Sequence, residues 1–206
     1  MKLVQRGAEA DIYRTRWLGS EAILKVRKPK KYRNSSLDSQ IRRQRTIKES
    51  QMLSHAKSLG IPAPLVYFVD VAKSSITMQR IPGRPVHDLS GSRIIRLSRT
   101  MGRLAGIMHK NGIMHGDLTT SNFVLSGDSV FVIDFGLSQN SPRQEDHAVD
   151  LRLIKEILNS AHAAVMKQAW RNFVSGYRSA VGSTACSQIL HLVSEIEGRG
   201  RYATVV

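Results

Sequence analysis

The sequence predicts an α+β protein of two lobes, a strand-rich N-terminal lobe with one long helix and a reduced, mostly helical C-terminal lobe. Three observations carry this reading. Apolar residues in the first eighty positions fall in short runs rich in β-branched and aromatic side chains. After Gly91 the apolar spacing changes to three and four, the period of a helix face. Between the two lies "PGRP" at 82–85, a Pro/Gly break. A chain of 206 residues suits one domain or two small lobes. The expected division is 1–80, 81–197 and a basic flexible tail over 198–206, with the boundary between Gln79 and Arg84.

Taken in order, "ADIYRTRWL" and "EAILKV" read as two strands joined by a turn at Gly19-Ser20. A polar, basic segment from about 37 to 59 reads as a helix, opened by Ser36 or Asp38 and closed by Gly60 and Pro62. "PLVYFVD" and "SSITMQRI" return to strand composition. Ile94, Leu97, Met101, Leu104 and Met108 recur at helical steps, so 92–110 is an amphipathic helix that stops at Asn111-Gly112. "SVFVID" is a short buried strand ending on Asp134, and from Ala148 the chain reads as helical nearly to Glu197.

Charge is the main compositional signal. Thirty-one Lys and Arg against sixteen Asp and Glu give +15, in clusters at 25–33, 42–45 and the Arg/Gly-rich end. The excess favours a polyanion as partner; a well-solvated surface is the alternative, although it would normally mix both signs. Aromatic residues are only 6% and do not interleave with the clusters, which disfavours a base-stacking single-strand binder. No run reads as a membrane span, and "MKLVQRGAEADIY" has no continuous apolar segment, so neither a span nor a secretory signal is expected. Cys186 is alone, which rules out an intrachain disulfide and fits a reducing cytoplasm.

The chemistry gathers in "IMHGDLTTSNFVLSGDSVFVIDFGLS". His115-x-Asp117, Asn122 five residues later and Asp134-Phe135-Gly136 stand in the order of a kinase phosphoryl-transfer site. Such a site holds the phosphates, neutralises them with Mg²⁺ and orients the acceptor. Asp117 suits acceptance of a proton or orientation of a water, while Asn122 and Asp134 offer the oxygen ligands that hard Mg²⁺ prefers. His115 reads as a structural hydrogen-bonding residue. Upstream, Lys25 sits in the apolar run "AILKV", where a buried ammonium needs a carboxylate or a phosphate; it also reads as the first of several solvated lysines. Glu49 is its candidate partner, or else one member of a surface ion-pair helix. Gly7 opens "GAEADIY", which suits a phosphate-covering loop or an ordinary hairpin turn.

These residues resemble the protein-kinase-like superfamily. Within it, "HGDLTTSN", "IDFGLS", "EDHAVDL", "LDSQIRRQRTIKES" and "TMQRIPG" resemble the PRPK-type small atypical Ser/Thr kinases of the KEOPS tRNA-modification complex. The resemblance implies a minimal two-lobed kinase fold that uses ATP and Mg²⁺. By position, Gly7, Ala8, Glu9 and Ala10 would cover the nucleotide, and Lys25 with Glu49 would position it. Gln79–Ile81 would contact adenine, Asp117 would be the catalytic base or water-orienting group, and Asn122 and Asp134 would bind metal. Asp150 would brace the catalytic loop, with an exposed helix-terminal acid as the alternative.

Two departures mark the loop. Gly116 stands where regulated kinases carry Arg, and Thr119 where they carry a Lys that steadies the γ-phosphate. The short stretch before Asp150 holds no Ala-Pro-Glu, so a long activation segment is not expected. The expectation is an ATPase or slow kinase in threonylcarbamoyl-adenosine synthesis on tRNA. Its partners would be the threonylcarbamoyl-transferase subunit, a small subunit on the N-terminal lobe, and tRNA, with Arg199 and Arg201 reaching either tRNA or the active site of the partner. A small-molecule phosphotransferase of the aminoglycoside or choline type, or a ribosome-associated atypical kinase, are the alternatives.

Overall fold

The computed structural model describes residues 1–30 and 32–202, the last three as backbone alone. The chain divides into two compact units, one formed by Met1–Pro82 with Asp134–Gly136, the other by Gly83–Ile133 and the chain from Leu137 onward. The fold is α+β, an antiparallel sheet in the first unit and helices in the second.

The first unit has strands β1 (Lys2–Arg6), β2 (Ala10–Trp17), β3 (Ser20–Arg27), β4 (Val66–Asp70) and β5 (Ser75–Gln79), and helix α1 (Ser35–Ser58). They form one antiparallel sheet in the order β1-β2-β3-β5-β4. Trp17 pairs with Ser20, so the β2–β3 turn consists of Leu18 and Gly19, one residue earlier than the sequence suggests. Both have positive φ (46° and 84°), as the tight turn matching the twist of the strands requires. Asn34 caps α1 by accepting from the Ser36 and Leu37 amides. The helix ends where Gly60, at φ 76°, donates to the Lys57 carbonyl and Ile61 to that of Ala56. Met52, Leu53 and Ala56 of α1 are buried, as are Ile76 and Met78 of β5. Lys25 and Arg27, two apart on β3, share a face of the sheet and are buried too.

The second unit has β6 (Arg84–Pro85), α2 (Ser92–Lys110), β7 (Ile113–Met114), β8 (Phe123–Ser126), β9 (Ser129–Val132), β10 (Gln139–Asn140), α3 (Gln144–Ala161), α4 (Met166–Val181) and α5 (Ser183–Tyr202). Strands β6, β8 and β9 form one small sheet, and β7 pairs with β10. The predicted helix over 92–110 matches α2. The long helical stretch expected after Ala148 is three helices, broken at His162 and at Gly182, whose φ is 88°. Helices α2 and α4 approach backbone to backbone. A Cβ on Gly102 would fall 1.9 Å from the Phe173 carbonyl oxygen, and one on Gly176 1.9 Å from that of Arg99. Ile94, Met101, Leu104 and Met108 of α2 pack the core with Leu151, Ile154, Phe173 and Tyr177. The flexible tail expected from 198 is corrected in part: α5 continues as helix through Tyr202, and 203–206 lie outside the described residues. Among the described residues, no helix is long and apolar enough to cross a membrane.

Candidate active site

In the first unit, the sheet and α1 bring opposite charges together away from water. Lys25 Nζ donates to Glu49 Oε1 at 2.6 Å and to Asp134 Oδ1 at 2.7 Å. Burial alone would lower the lysine pKa, but the carboxylates of Glu49 and then Asp134 outweigh it and raise it, so the ammonium stays charged. Arg27 Nη2 donates to the other oxygen of Glu49 at 2.5 Å, and both side chains are almost fully buried. One carboxylate thus serves two buried cations. Arg27 was not singled out by the sequence, where it stands inside the basic run 25–33; the only signal was its spacing of two from Lys25 on a strand.

Asp134 follows β9 with φ at 60°, a left-handed conformation that Asp tolerates better than most residues and that is frequent at functional positions. Its Oδ1 also accepts from the Gly136 amide at 3.1 Å, and the side chain is about half exposed at 47%. A Cβ on Gly136 would lie 2.9 Å from Asp134 Oδ1 and 3.3 Å from Arg27 Nη2, so glycine keeps this corner open.

The Gly7–Ala10 segment is a closed turn between β1 and β2. Gly7 N donates to the Ala10 carbonyl at 2.9 Å, so this amide is engaged within the turn. Lys30 Nζ donates to the Ala8 carbonyl, while the Glu9 carboxylate meets Arg45 at 2.7 Å and Lys30 at 3.5 Å. Gln79 N donates to the Leu65 carbonyl, and Gln79 Oε1 accepts from the Leu65 amide. Ile81 is half-buried, three residues before β6.

In the second unit, the loop between β7 and β8 is held by its own side chains. Asn122 Nδ2 donates to the Asp117 carbonyl and to Asp117 Oδ2, each at 2.8 Å. With both amide hydrogens spent, Asn122 has its oxygen left for a cation. Asn122 O accepts from Ile133 N at 2.9 Å, and His115 Nε2 donates to the Ile133 carbonyl at 3.2 Å. His115 Nδ1 accepts from Asp117 N at 3.3 Å, so a single tautomer satisfies both bonds. The imidazole is fully buried and structural.

Asp150 on α3 is buried and braces this loop, accepting from His115 N at 2.6 Å and Gly116 N at 2.9 Å. Burial would raise its pKa, but the hydrogen bond from His109 and the contacts with His115 hold it below the usual carboxylate value. His109 on α2 links Asp150, at 3.2 Å from Nε2, to the Tyr177 hydroxyl, at 2.9 Å from Nδ1. Burial, foremost, raises the Tyr177 pKa, which keeps its proton for donation to His109. This His109–Tyr177 support escaped the sequence reading, because two helices far apart in the chain supply it.

Gly116 has a steric explanation. Its φ is 79°, and a Cβ there would lie 2.5 Å from the Leu137 carbonyl oxygen, so no Arg fits. Thr119 is extended and half-buried, and Thr120 Oγ1 lies 3.4 Å from His87 Nδ1. Asp134 in the first unit and Asn122 in the second each carry a hard oxygen donor of the kind that Mg²⁺ prefers. Among the described residues there is no cluster of three or more His, Cys, Asp or Glu that could hold a metal ion.

The RIO-domain family model matches residues 11–167. A Methanococcus maripaludis protein named as a probable bifunctional tRNA threonylcarbamoyladenosine biosynthesis protein is 40% identical over 200 residues, 97% of this chain and 36% of the relative. This chain therefore spans about a third of the bifunctional relatives it matches. The KEOPS complex subunit Bud32 of Pyrococcus abyssi is 35% identical over 212 residues, covering 98% of this chain and 96% of the relative. The Rio2 kinase of Chaetomium thermophilum, solved with ADP, Mg²⁺ and phosphoaspartate, superposes with a TM-score of 0.65 at 16% identity over 98% of this chain and 72% of that one. The chain belongs to the RIO-domain family, on a protein-kinase-like fold with an antiparallel-sheet N-terminal lobe and a helical C-terminal lobe.

Proposed function

We propose that the chain is an ATP-dependent subunit of a KEOPS-type assembly that makes threonylcarbamoyl-adenosine in tRNA, acting as an ATPase and atypical Ser/Thr kinase. The observation that carries this is the Lys25–Glu49–Asp134 set in the first unit, together with the Asp117–Asn122 pair in the second. The match to Bud32 along nearly the whole of both chains supports the assembly.

Bound Mg²⁺ would neutralise charge on the ATP phosphates, with Asp134 and Asn122 as its protein ligands. Lys25 would direct its ammonium to the phosphates while Glu49 fixes its position. Arg27 keeps Glu49 satisfied when Lys25 turns to the nucleotide. Asp117, steadied by Asn122 and by a loop anchored on Asp150, would orient a water or hydroxyl and take its proton. The oxygen bonds to the γ-phosphorus, the bond to the β,γ-bridging oxygen breaks, and ADP leaves with that electron pair. Gly116 and Thr119 leave the loop without the cations of a regulated peptide kinase, which favours water as acceptor.

The partners of this reading are the threonylcarbamoyl-transferase subunit, a small subunit on the N-terminal lobe, and tRNA, in the cytoplasm. Arg199 is exposed on α5 and suits tRNA contact; the side chain of Arg201 lies outside the described residues. ATP hydrolysis by the chain, measured with and without tRNA and the transferase subunit, tests the assembly. Stimulation by both together is expected. Stimulation by an aminoglycoside or choline instead would make the chain a small-molecule phosphotransferase.

A further inference from the structure

Many of the described cations in the clusters at 25–33 and 42–45 meet an acid. Lys25 and Arg27 are buried on Glu49, Lys28 meets Asp11, and Lys30 meets Glu9. On α1, Arg42 pairs with Asp38 and Arg45 with Glu9. On α3, Arg152 pairs with Glu156 and Lys155 with Glu197.

Helix α2 is different. Arg93, Arg96, Arg99 and Arg103 follow one another at steps of three, three and four, which sets them along one side of the helix, and all four are exposed. The opposite side, carrying Ile94, Leu97, Met101 and Leu104, is buried. Neither α2 nor α4, which packs against it, contains an Asp or Glu. Among the described residues, no carboxylate lies within ion-pair distance of any of the four arginines. Four like charges at helical-neighbour spacing repel one another and gain nothing within the chain.

We infer that this arginine face of α2 is an RNA-binding surface that takes the phosphate backbone of a folded, double-helical region of tRNA. From Arg93 to Arg103 the helix advances about 15 Å, enough to address several successive phosphates. All four cations are arginine, whose planar fork pairs with phosphate oxygens two at a time. No exposed aromatic residue accompanies them on α2, so the face reads backbone shape and charge, not unstacked bases. The inference rests on the tRNA part of the proposed function and assigns it to α2 of the second unit, not to the clusters at 25–33 and 42–45.

The test uses the full chain and a labelled tRNA transcript titrated over a salt series. R96Q/R99Q/R103Q is compared with the parent and with K2Q/R6Q/K48Q, which removes the same charge from exposed positions of the first unit. Glutamine keeps α2 helical, and ATP turnover without RNA reports that the variant is folded. The α2 variant is expected to bind about tenfold or more weakly, with its salt slope reduced by about two to three, while the control behaves like the parent. Equal binding by the α2 variant and the parent overturns the inference. So does an equal loss in the control, or displacement of tRNA by polyglutamate at matched charge, which would make an acidic protein the ligand. Failure of the parent to bind tRNA removes the tRNA part of the proposed function as well; an indifferent variant of a binding parent removes the inference alone.

Discussion

Arg27 donates to Glu49 Oε2 at 2.5 Å inside the first unit, on the oxygen that Lys25 leaves open. A buried carboxylate with two cations can release one of them to a substrate without being stranded. Arg27→Met removes that reserve while keeping the bulk of the stem. The expected result is a loss of about 1–3 kcal/mol in urea unfolding, the usual cost of a buried charged hydrogen bond. ATP turnover should fall as well, and more than in Arg27→Lys, which restores the charge. A variant as active as the parent would show that Lys25 needs no second cation beside it.

Asp150 ties α3 to two successive amides of the β7–β8 loop, with His109 and Tyr177 behind it. Asp150→Ala leaves those amides and the His109 ring without their acceptor. It should cost about 3–5 kcal/mol in chemical unfolding and lower turnover. Tyr177→Phe removes only the hydroxyl that His109 accepts from, at about 1 kcal/mol.

Gly116→Ala should destabilise by about 1–3 kcal/mol, because the left-handed backbone and the Leu137 carbonyl both oppose a Cβ. Differential scanning calorimetry checks this. Gly116→Arg should be worse and should not restore activation by phosphorylation.

His147 stacks on His109 with ring centres 4.4 Å apart, and its Nε2 donates to the Ser141 carbonyl. Burial, then the neighbouring His109, lowers its pKa, against the weaker pull of Asp150 and Asp146. The unfolded chain therefore takes a proton at His147 near pH 6.5 while the folded chain still resists it. Over that window the unfolded state binds more protons, so stability is retained above about pH 6.5 and falls as the pH drops below it. His147→Asn should flatten the decline in melting temperature between neutral and mildly acidic pH.

The sequence made the α+β class and α2 legible because apolar period and Gly/Pro punctuation are local signals. Lys25, Glu49 and Asp134, and likewise Asp117 and Asn122, stood out as candidates because their order along the chain is itself the signal, and within each unit they are hydrogen-bonded together. Arg27, His109 and Tyr177 were hidden for a common reason. Each works through a partner distant in sequence, and each sits in a setting with an ordinary explanation, a basic run or a helix core. The acids beside the charge clusters were hidden for the converse reason. Sequence proximity of cations says nothing about the acids that folding brings beside them, such as Glu49, Asp11 and Glu9 beside Lys25, Arg27, Lys28 and Lys30. The hydrogen bond within the Gly7 turn was likewise invisible until its Ala10 partner was placed.

In the proposed function Asp134 serves Mg²⁺-ATP chemistry and not merely an ion pair with Lys25. The most direct test of this is Mg²⁺-dependent ATP turnover by the parent and by Asp134→Ala, with folding checked by calorimetry. The account predicts a folded variant whose turnover falls about a hundredfold or more, since metal-borne charge stabilisation is worth several kcal/mol at about 1.4 kcal/mol per factor of ten. A folded Asp134→Ala protein that hydrolyses ATP at the parent rate would contradict it.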